Sequence, residues 1–394
     1  MNTVWIGNGR TVLPDGVVMD GSVLLQGDKI AAVNIPCPEG VQKVDARDGY
    51  ILPGFIDIHL HGGGGADFMD AEPDSLKTMA RAHNAHGTTS MVATTMTCAD
   101  ELLEKAIDTY IDQLDQPTGG AKILGLHLEG PFFSAASKGA QPISKERIPT
   151  REYLESILKR AQGHILRWDA APELENMDLF AQVMKENGVL CSLAHSGCNA
   201  TRALQAFDWG FRHVTHFYNA CTTYHKENGL VHSGIIEATY IRDDVTIELI
   251  GDGRHIPRES MLLAFRIKGP DRICLITDAM RAAGTSDQTS ILGPKIGGTP
   301  VVVKDDVAQL TDFSSYAGSI CTMDRALRVA HTQYGIPLAD VSRMLSLTPA
   351  RLSGVADRTG SLEVGKDADI VVMDGDFQVR RVYTSGVLTA ENES

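Results

Sequence analysis

Residues 53–70 read PGFIDIHLHGGGGADFMD. A short apolar run delivers His59 and His61, one residue apart, to the edge of four glycines, Gly62 to Gly65. Residues two apart on a strand point to the same face, so the two imidazoles aim at one point, as ligands of a metal ion do. The glycines let the backbone turn sharply beside that point and leave it open. By itself the pair reads equally well as two polar residues at a strand end, and the rest of the chain has to decide.

The middle of the sequence repeats the pattern of that first run. Eight short apolar runs, at 51–59, 88–94, 122–128, 165–171, 188–194, 211–216, 245–250 and 272–277, have the length of parallel strands. Helix-compatible stretches follow most of them, at 74–86, 100–115, 178–187, 201–209 and 257–268. Alternating strand and helix predicts a parallel α/β fold, and eight repeats predict a closed (β/α)8 barrel of the TIM type. The rival, an open doubly wound sheet, would carry a dinucleotide fingerprint after an early strand; the glycines after His61 do not fit it. The ends of the chain differ from the middle. VWIGNGR, GSVLLQGDKIAAV and VQKVDARDGYILPG at one end, and GSLEVGKDADIVVMDGDFQVRRVYTSG at the other, read as short strands joined by turns. They predict a small β-sandwich domain built from 1–53 and 355–394, with the barrel at 54–354.

Composition narrows the class. The chain has 394 residues, 43% hydrophobic and 22% charged, and a formal net charge of −14. That acidity argues against nucleic acid and anionic membrane as partners, and an anionic substrate would need a local basic pocket. Seven scattered cysteines without a CxxC suggest a reducing cytoplasm rather than a disulfide framework. The opening MNTVWIGNGR has no apolar signal region, and no run reaches the roughly 20 apolar residues of a membrane span.

The polar residues fall at the ends of the predicted strands. His59 and His61 close the first run, Glu129 follows the third, His195 the fifth, His216 closes the sixth and Asp278 follows the eighth. Each has an ordinary structural use, as helix cap, turn residue or satisfied core histidine. Together they lie on the C-terminal rim of one barrel, where such barrels build their sites. Imidazole with carboxylate and no thiolate suits Zn²⁺, Fe²⁺, Mn²⁺ or Co²⁺. Glu129, His195 and His216 offer three ligands with one position left for water, the pattern of a catalytic zinc, while His59 and His61 could hold a second ion. Asp278 fits a carboxylate that accepts a proton from water and returns it to a leaving group.

PGFIDIHLHGGGGADFMD, GLHLEGPF, KGAQP, AHS, THFYNA, GDGRH, LITDAMRAAG, AGSICTM and GKDADIVVMD, in that order along nearly the whole chain, resemble the N-acetylglucosamine-6-phosphate deacetylase family of the amidohydrolase superfamily. The resemblance implies that Glu129, His195 and His216 bind the main metal and that Asp278 is the catalytic acid/base. It also implies that Asn219 and Ala220 touch the sugar phosphate, that His255 binds substrate and that Gln141 lines the sugar. It further implies a homodimer in which a basic residue of one subunit reaches the phosphate in the other. Lys226 stands where the family's usual arginine does, cationic but without the bidentate fork. Cys221 replaces the usual methionine, and HSGCNA is less regular than the family pattern. The expected activity is metal-dependent deacetylation of N-acetylglucosamine 6-phosphate, with N-acetylgalactosamine 6-phosphate as the alternative. An enzyme opening a cyclic amide would carry a lysine at the end of the fourth run, and a non-catalytic scaffold would have lost ligands; neither is seen.

Overall fold

The computed structural model describes residues 3–114, 116–142 and 146–392. Eight parallel strands lie side by side in chain order: β1 (Phe55–Leu60), β2 (Thr88–Thr94), β3 (Lys122–Phe132), β4 (Ile165–Ala170), β5 (Leu190–Leu193), β6 (Phe211–Val214), β7 (Thr246–Ile250) and β8 (Ile273–Ile276). The sheet closes where β8 meets β1. The amide of Asp278 donates to the carbonyl of His59 at 2.9 Å, and that of His61 to Ala279 at 2.8 Å. Asp57 reinforces the seam: Thr277 Oγ1 donates to its carboxyl at 2.5 Å. Complete burial pushes that carboxyl up to about 7 in spite of this bond.

The barrel helices are α1 (Pro73–Asn84), α2 (Asp100–Asp112), α3 (Arg151–Arg160), α4 (Met177–Glu186), α5 (Ala200–Trp209), α6 (Ile235–Tyr240), α7 (Arg258–Lys268) and α8 (Met323–Arg328). Their starts follow local chemistry. Pro73 opens α1, where its missing amide costs nothing, and Asn199 caps α5 by accepting from Arg202 N at 3.0 Å. Asp115, the expected end of the second helix, lies outside the described residues, as do residues 1–2 and 393–394 of the terminal segments. No helix among the described residues is long and apolar enough to cross a membrane.

The first apolar run is two strands, not one. Tyr50–Pro53 pairs antiparallel with Ile370–Met373, which joins the two ends of the chain in one connected sheet of eight strands, separate from the barrel. That sheet has its own core, including Ile6, Val23, Leu25, Ile51 and Ile370. Gly54 links the two sheets and packs closely there, since a Cβ on it would lie 2.1 Å from Thr89 Oγ1. A three-stranded antiparallel sheet, Thr289–Leu292, Thr299–Lys304 and Val307–Leu310, is inserted between β8 and α8. It was not anticipated from the sequence. Arg281 holds it to the glycine loop, donating to both carboxylate oxygens of Asp70 at 2.9 and 2.7 Å and to the Gly293 carbonyl at 2.8 Å.

The four glycines have two duties. Gly64 and Gly65 take the left-handed φ values of 63° and 88° that make the turn. Gly62 and Gly63 allow close approach: a Cβ on Gly62 would lie 2.5 Å from the Ala66 carbonyl, and one on Gly63 would lie 2.5 Å from His83 Nε2. His83 is buried in α1 with Nε2 2.9 Å from the Gly62 carbonyl. Burial pushes its imidazole down to about 4, against the help of that carbonyl. Below an unfolded-state value of about 6.5, the unfolded chain takes up a proton that the folded chain refuses until about 4. Stability is therefore expected to fall, by a few kcal/mol, as pH drops across that window, and to be independent of this group above it. His83→Gln keeps a donor for Gly62 without the titration. Urea melts from pH 7 down to about 4 should show a shallower loss for this variant than for the parent; superimposable profiles would refute the assignment.

Candidate active site

The six rim residues come together. His59 lies within β1 and His61 one residue past it; Glu129 lies within β3, which runs on to Phe132. His195, His216 and Asp278 each stand two residues beyond their strands, β5, β6 and β8. These last three have left-handed backbones, with φ of 45°, 30° and 48°. Such conformations cost non-glycine residues on the order of 1–3 kcal/mol each and recur where side-chain aim is functional.

Glu129 is the centre. Its Oε1 lies 3.2 Å from both His195 Nε2 and His216 Nε2, and those nitrogens are 3.1 Å apart. Its Oε2 lies 3.3 Å from His61 Nε2, which is also 3.3 Å from Asp278 Oδ1. His59 Nε2 completes the ring, 3.8 Å from Glu129 and 3.5 Å from Asp278. Burial opposes the charged form of Glu129, but His195, His216 and His61 hold its carboxyl well below the usual range. Burial likewise works against a charged His216, yet Glu129 lifts that imidazole to about 9. Asp278 is held low by His59 and His61 against its own burial.

A divalent cation fits this donor set. Ligand atoms about 2.0–2.1 Å from one tetrahedral ion lie roughly 3.3 Å apart, close to the spacing of the Glu129, His195 and His216 donors. Three of the four outer nitrogens are already committed, His195 Nδ1 to the Ser137 carbonyl at 3.0 Å, His216 Nδ1 to the Asn219 carbonyl at 3.1 Å, and His59 Nδ1 to Glu248 Oε2 at 2.9 Å, while that of His61 is buried without a partner among the described residues. Such bonds leave the Nε2 lone pairs facing inward. His59 Nε2 is buried without a hydrogen-bond partner. Two groups can each hold an ion, Glu129 with His195 and His216, and Glu129 with His59 and His61.

The donors open into a cavity of about 180 Å³. Gln141, Asn219, Ala220 and His255 line it. Gln141 does more than line it: Nε2 donates to Glu129 Oε2 at 2.6 Å while Oε1 accepts the Thr97 amide at 3.0 Å. Asn219 Nδ2 is buried and unpartnered, and His255 is backed by Asp252 at 2.7 Å. Lys226 does not line the cavity. It stands on an exposed hairpin, His225–Glu227 with Leu230–His232, so within one chain it does not join the other predicted residues. Sequence reading missed Ser315 and Tyr316, which follow the inserted sheet and face the cavity, with the Tyr316 ring 4.8 Å from that of His255. Nothing in their local pattern marks them. It also missed the charged floor beneath the site, where His127, Arg167, Asp169, His213 and Glu248 are all buried. A signal existed for one of them: His127 is two residues before Glu129 and so shares its strand face.

The amidohydrolase family matches residues 50–389. The chain is 33% identical over 374 residues to the N-acetylglucosamine-6-phosphate deacetylase of Bacillus subtilis (strain 168), covering 93% of this chain and 92% of that one. It is 33% identical over 384 residues to the N-acetylgalactosamine-6-phosphate deacetylase of Escherichia coli O157:H7, covering 97% and 98%. The crystal structure of N-acetylglucosamine-6-phosphate deacetylase from Pasteurella multocida superimposes with a TM-score of 0.91 at 29% identity, over 99% of this chain and 100% of that chain. A barrel with histidine and carboxylate donors gathered at its C-terminal rim, matched along nearly its whole length, places this chain in the metal-dependent amidohydrolase family.

Proposed function

We propose that this protein is a metal-dependent deacetylase that hydrolyses N-acetylglucosamine 6-phosphate to glucosamine 6-phosphate and acetate. One observation carries the reading: Glu129, His195 and His216 converge at 3.1–3.2 Å, with Asp278 across the same cavity. The names of the relatives supply the substrate class. Zinc is the ion best suited to the main set, and His59 with His61 offers room for a second. An ion bound there would polarise the acetyl carbonyl and acidify a water molecule. Asp278 takes the proton of the attacking water and hands it to the amine nitrogen, a poor leaving group until protonated. Gln141 holds Glu129 in place, and Asn219 and His255 bind the sugar phosphate. All seven cysteines are free, in keeping with a reducing cytoplasm.

N-acetylgalactosamine 6-phosphate is the second reading, favoured by an equally similar relative. The two sugars differ at one hydroxyl, and the ratio of kcat/KM for the epimeric 6-phosphates decides between them.

Among the described residues, no lysine or arginine lines the cavity, although the substrate is an anion. In this reading a second copy of the chain supplies a cation, through Lys226 on its exposed hairpin, where Tyr224, Leu230 and Val231 are also exposed. The working unit is then a homodimer.

Four outcomes are expected. His195→Ala loses the principal ion; elemental analysis showing parental metal content would contradict the ligand assignment. In metal-loaded Asp278→Asn, kcat falls by about 10²–10⁴-fold, the usual contribution of a proton shuttle, with the melting temperature retained. If Asp278 only capped a helix, the loss would instead be about 1 kcal/mol of stability with near-normal turnover. Finally, Lys226→Ala raises KM for the phosphorylated sugar more than it lowers kcat. Subunits carrying Lys226→Ala, mixed and reassembled with Asp278→Asn subunits, should regain activity at low substrate, because the hybrid has one site with both groups. Activity equal to the sum of the separate variants would exclude the shared site.

A further inference from the structure

Beneath the donor ring, one carboxylate touches two of its members. Glu248 is fully buried on β7. Its Oε2 accepts from His59 Nδ1 at 2.9 Å and from the backbone amide of His216 at 3.1 Å. Its Oε1 pairs with the Arg167 guanidinium and lies 3.5 Å from His213 Nε2. The backbone carbonyl of Glu248 also accepts the amide of Phe217 at 2.9 Å. One residue thus grips the segment after β6 by side chain and main chain together, and reaches across the barrel to β1.

We infer that Glu248 is a positioning residue that aligns the two candidate metal groups with each other, an inference that rests on the metal-dependent reading above. The geometry gives it two effects. Accepting the Nδ1 proton fixes the His59 tautomer with its Nε2 lone pair toward Glu129 and Asp278, where that atom is buried without a hydrogen-bond partner. Accepting the His216 amide holds a residue whose φ of 30° is unfavourable for a side chain other than glycine. The same oxygen serves both, so the spacing between His59 and His216, whose ring centroids are 5.7 Å apart, is tied to one atom. Arg167 keeps that oxygen from turning away by occupying the other. Glu248 is not among the residues lining the cavity; it acts through the two histidines.

The test is metal affinity, measured by Zn²⁺ titration against a chromophoric chelator, on the parent, Glu248→Gln, His59→Asn and the double variant. Loss of an outer partner of a metal-binding histidine typically costs about 10–100-fold in affinity or activity. Glu248→Gln is expected to lose that much Zn²⁺ affinity and to lower kcat while KM for substrate stays within about twofold, the split expected of a group that does not bind substrate. In the His59→Asn background the same change should cost less than it does alone, because one of the two contacts is already gone. Glu248→Gln also leaves Arg167 buried without its anion. Arg167→Met/Glu248→Gln, which removes both charges, supplies the same measurement in a core with no orphaned cation. Zn²⁺ affinity equal to the parent's in either Glu248 variant would overturn the inference alone, as would an equal loss with and without His59. A parent that releases acetate yet binds no divalent ion would overturn the metal reading, and this inference with it.

Discussion

The site depends on the seam that closes the barrel. His59 and Asp278 stand far apart in the chain, and they face each other only because the segment after β8 pairs with β1. The hydrogen bond that closes the seam, from the Asp278 amide to the His59 carbonyl at 2.9 Å, joins two of the rim residues themselves. Closing the sheet and assembling the site are therefore one event. Asp57 and Thr277, one step below, make the same connection through side chains that are both fully buried.

Around that seam the structure accepts costs that an ordinary barrel avoids. Barrel interiors are usually filled with branched apolar side chains. Here a middle layer is charged, with Arg167 between Glu248 and Asp169, and His127 and His213 packed among them. Burying such groups is unfavourable unless each finds an opposite charge and hydrogen bonds. The arrangement meets that condition for Glu248, which supports two rim histidines from below. Above it, Glu129 is nearly as buried, at 2% exposure, and its charge is held by the imidazoles. Glu129 and Asp278 bring two carboxylates to the rim, so a cation there would be balanced by them.

Backbone strain has the same location. His195, His216 and Asp278 turn left-handed immediately after their strands, and Tyr218 and Ala220 do so in the loop that follows His216. A residue that continued in extended conformation would send the next side chain to the other face of the sheet. The left-handed step instead lets a side chain two residues beyond the strand turn back over the barrel mouth. Carbonyls of the neighbouring loops, from Ser137 and Asn219, then hold the imidazoles in that aim.

Strand and helix alternation, the polar residues at the strand ends and the β-rich termini were legible in the sequence, because each is written in short-range pattern. Periodicity reports burial, and burial is what places a residue on a face. The gathering of His59, His61, Glu129, His195, His216 and Asp278 could be read for a related reason: in a parallel barrel, every strand's C-terminal end lies on one rim, so topology alone brings them together. Other features had no local signature. The division of the 51–59 run between two sheets depends on residues 50–53 pairing with a strand more than 300 residues away, and the cavity wall at Tyr316 depends on where the inserted sheet lands. The position of Lys226 away from its own cavity depends on the direction of one hairpin. Gln141 as a clamp on Glu129, and Glu248 as a brace beneath His59, are contacts across 12 and 189 residues. Strand order and period were enough to say which side chains can meet at the rim. Which atoms face which emerges in the folded packing, because hydrogen-bond partners are selected by distances of a few tenths of an ångström that no periodicity encodes.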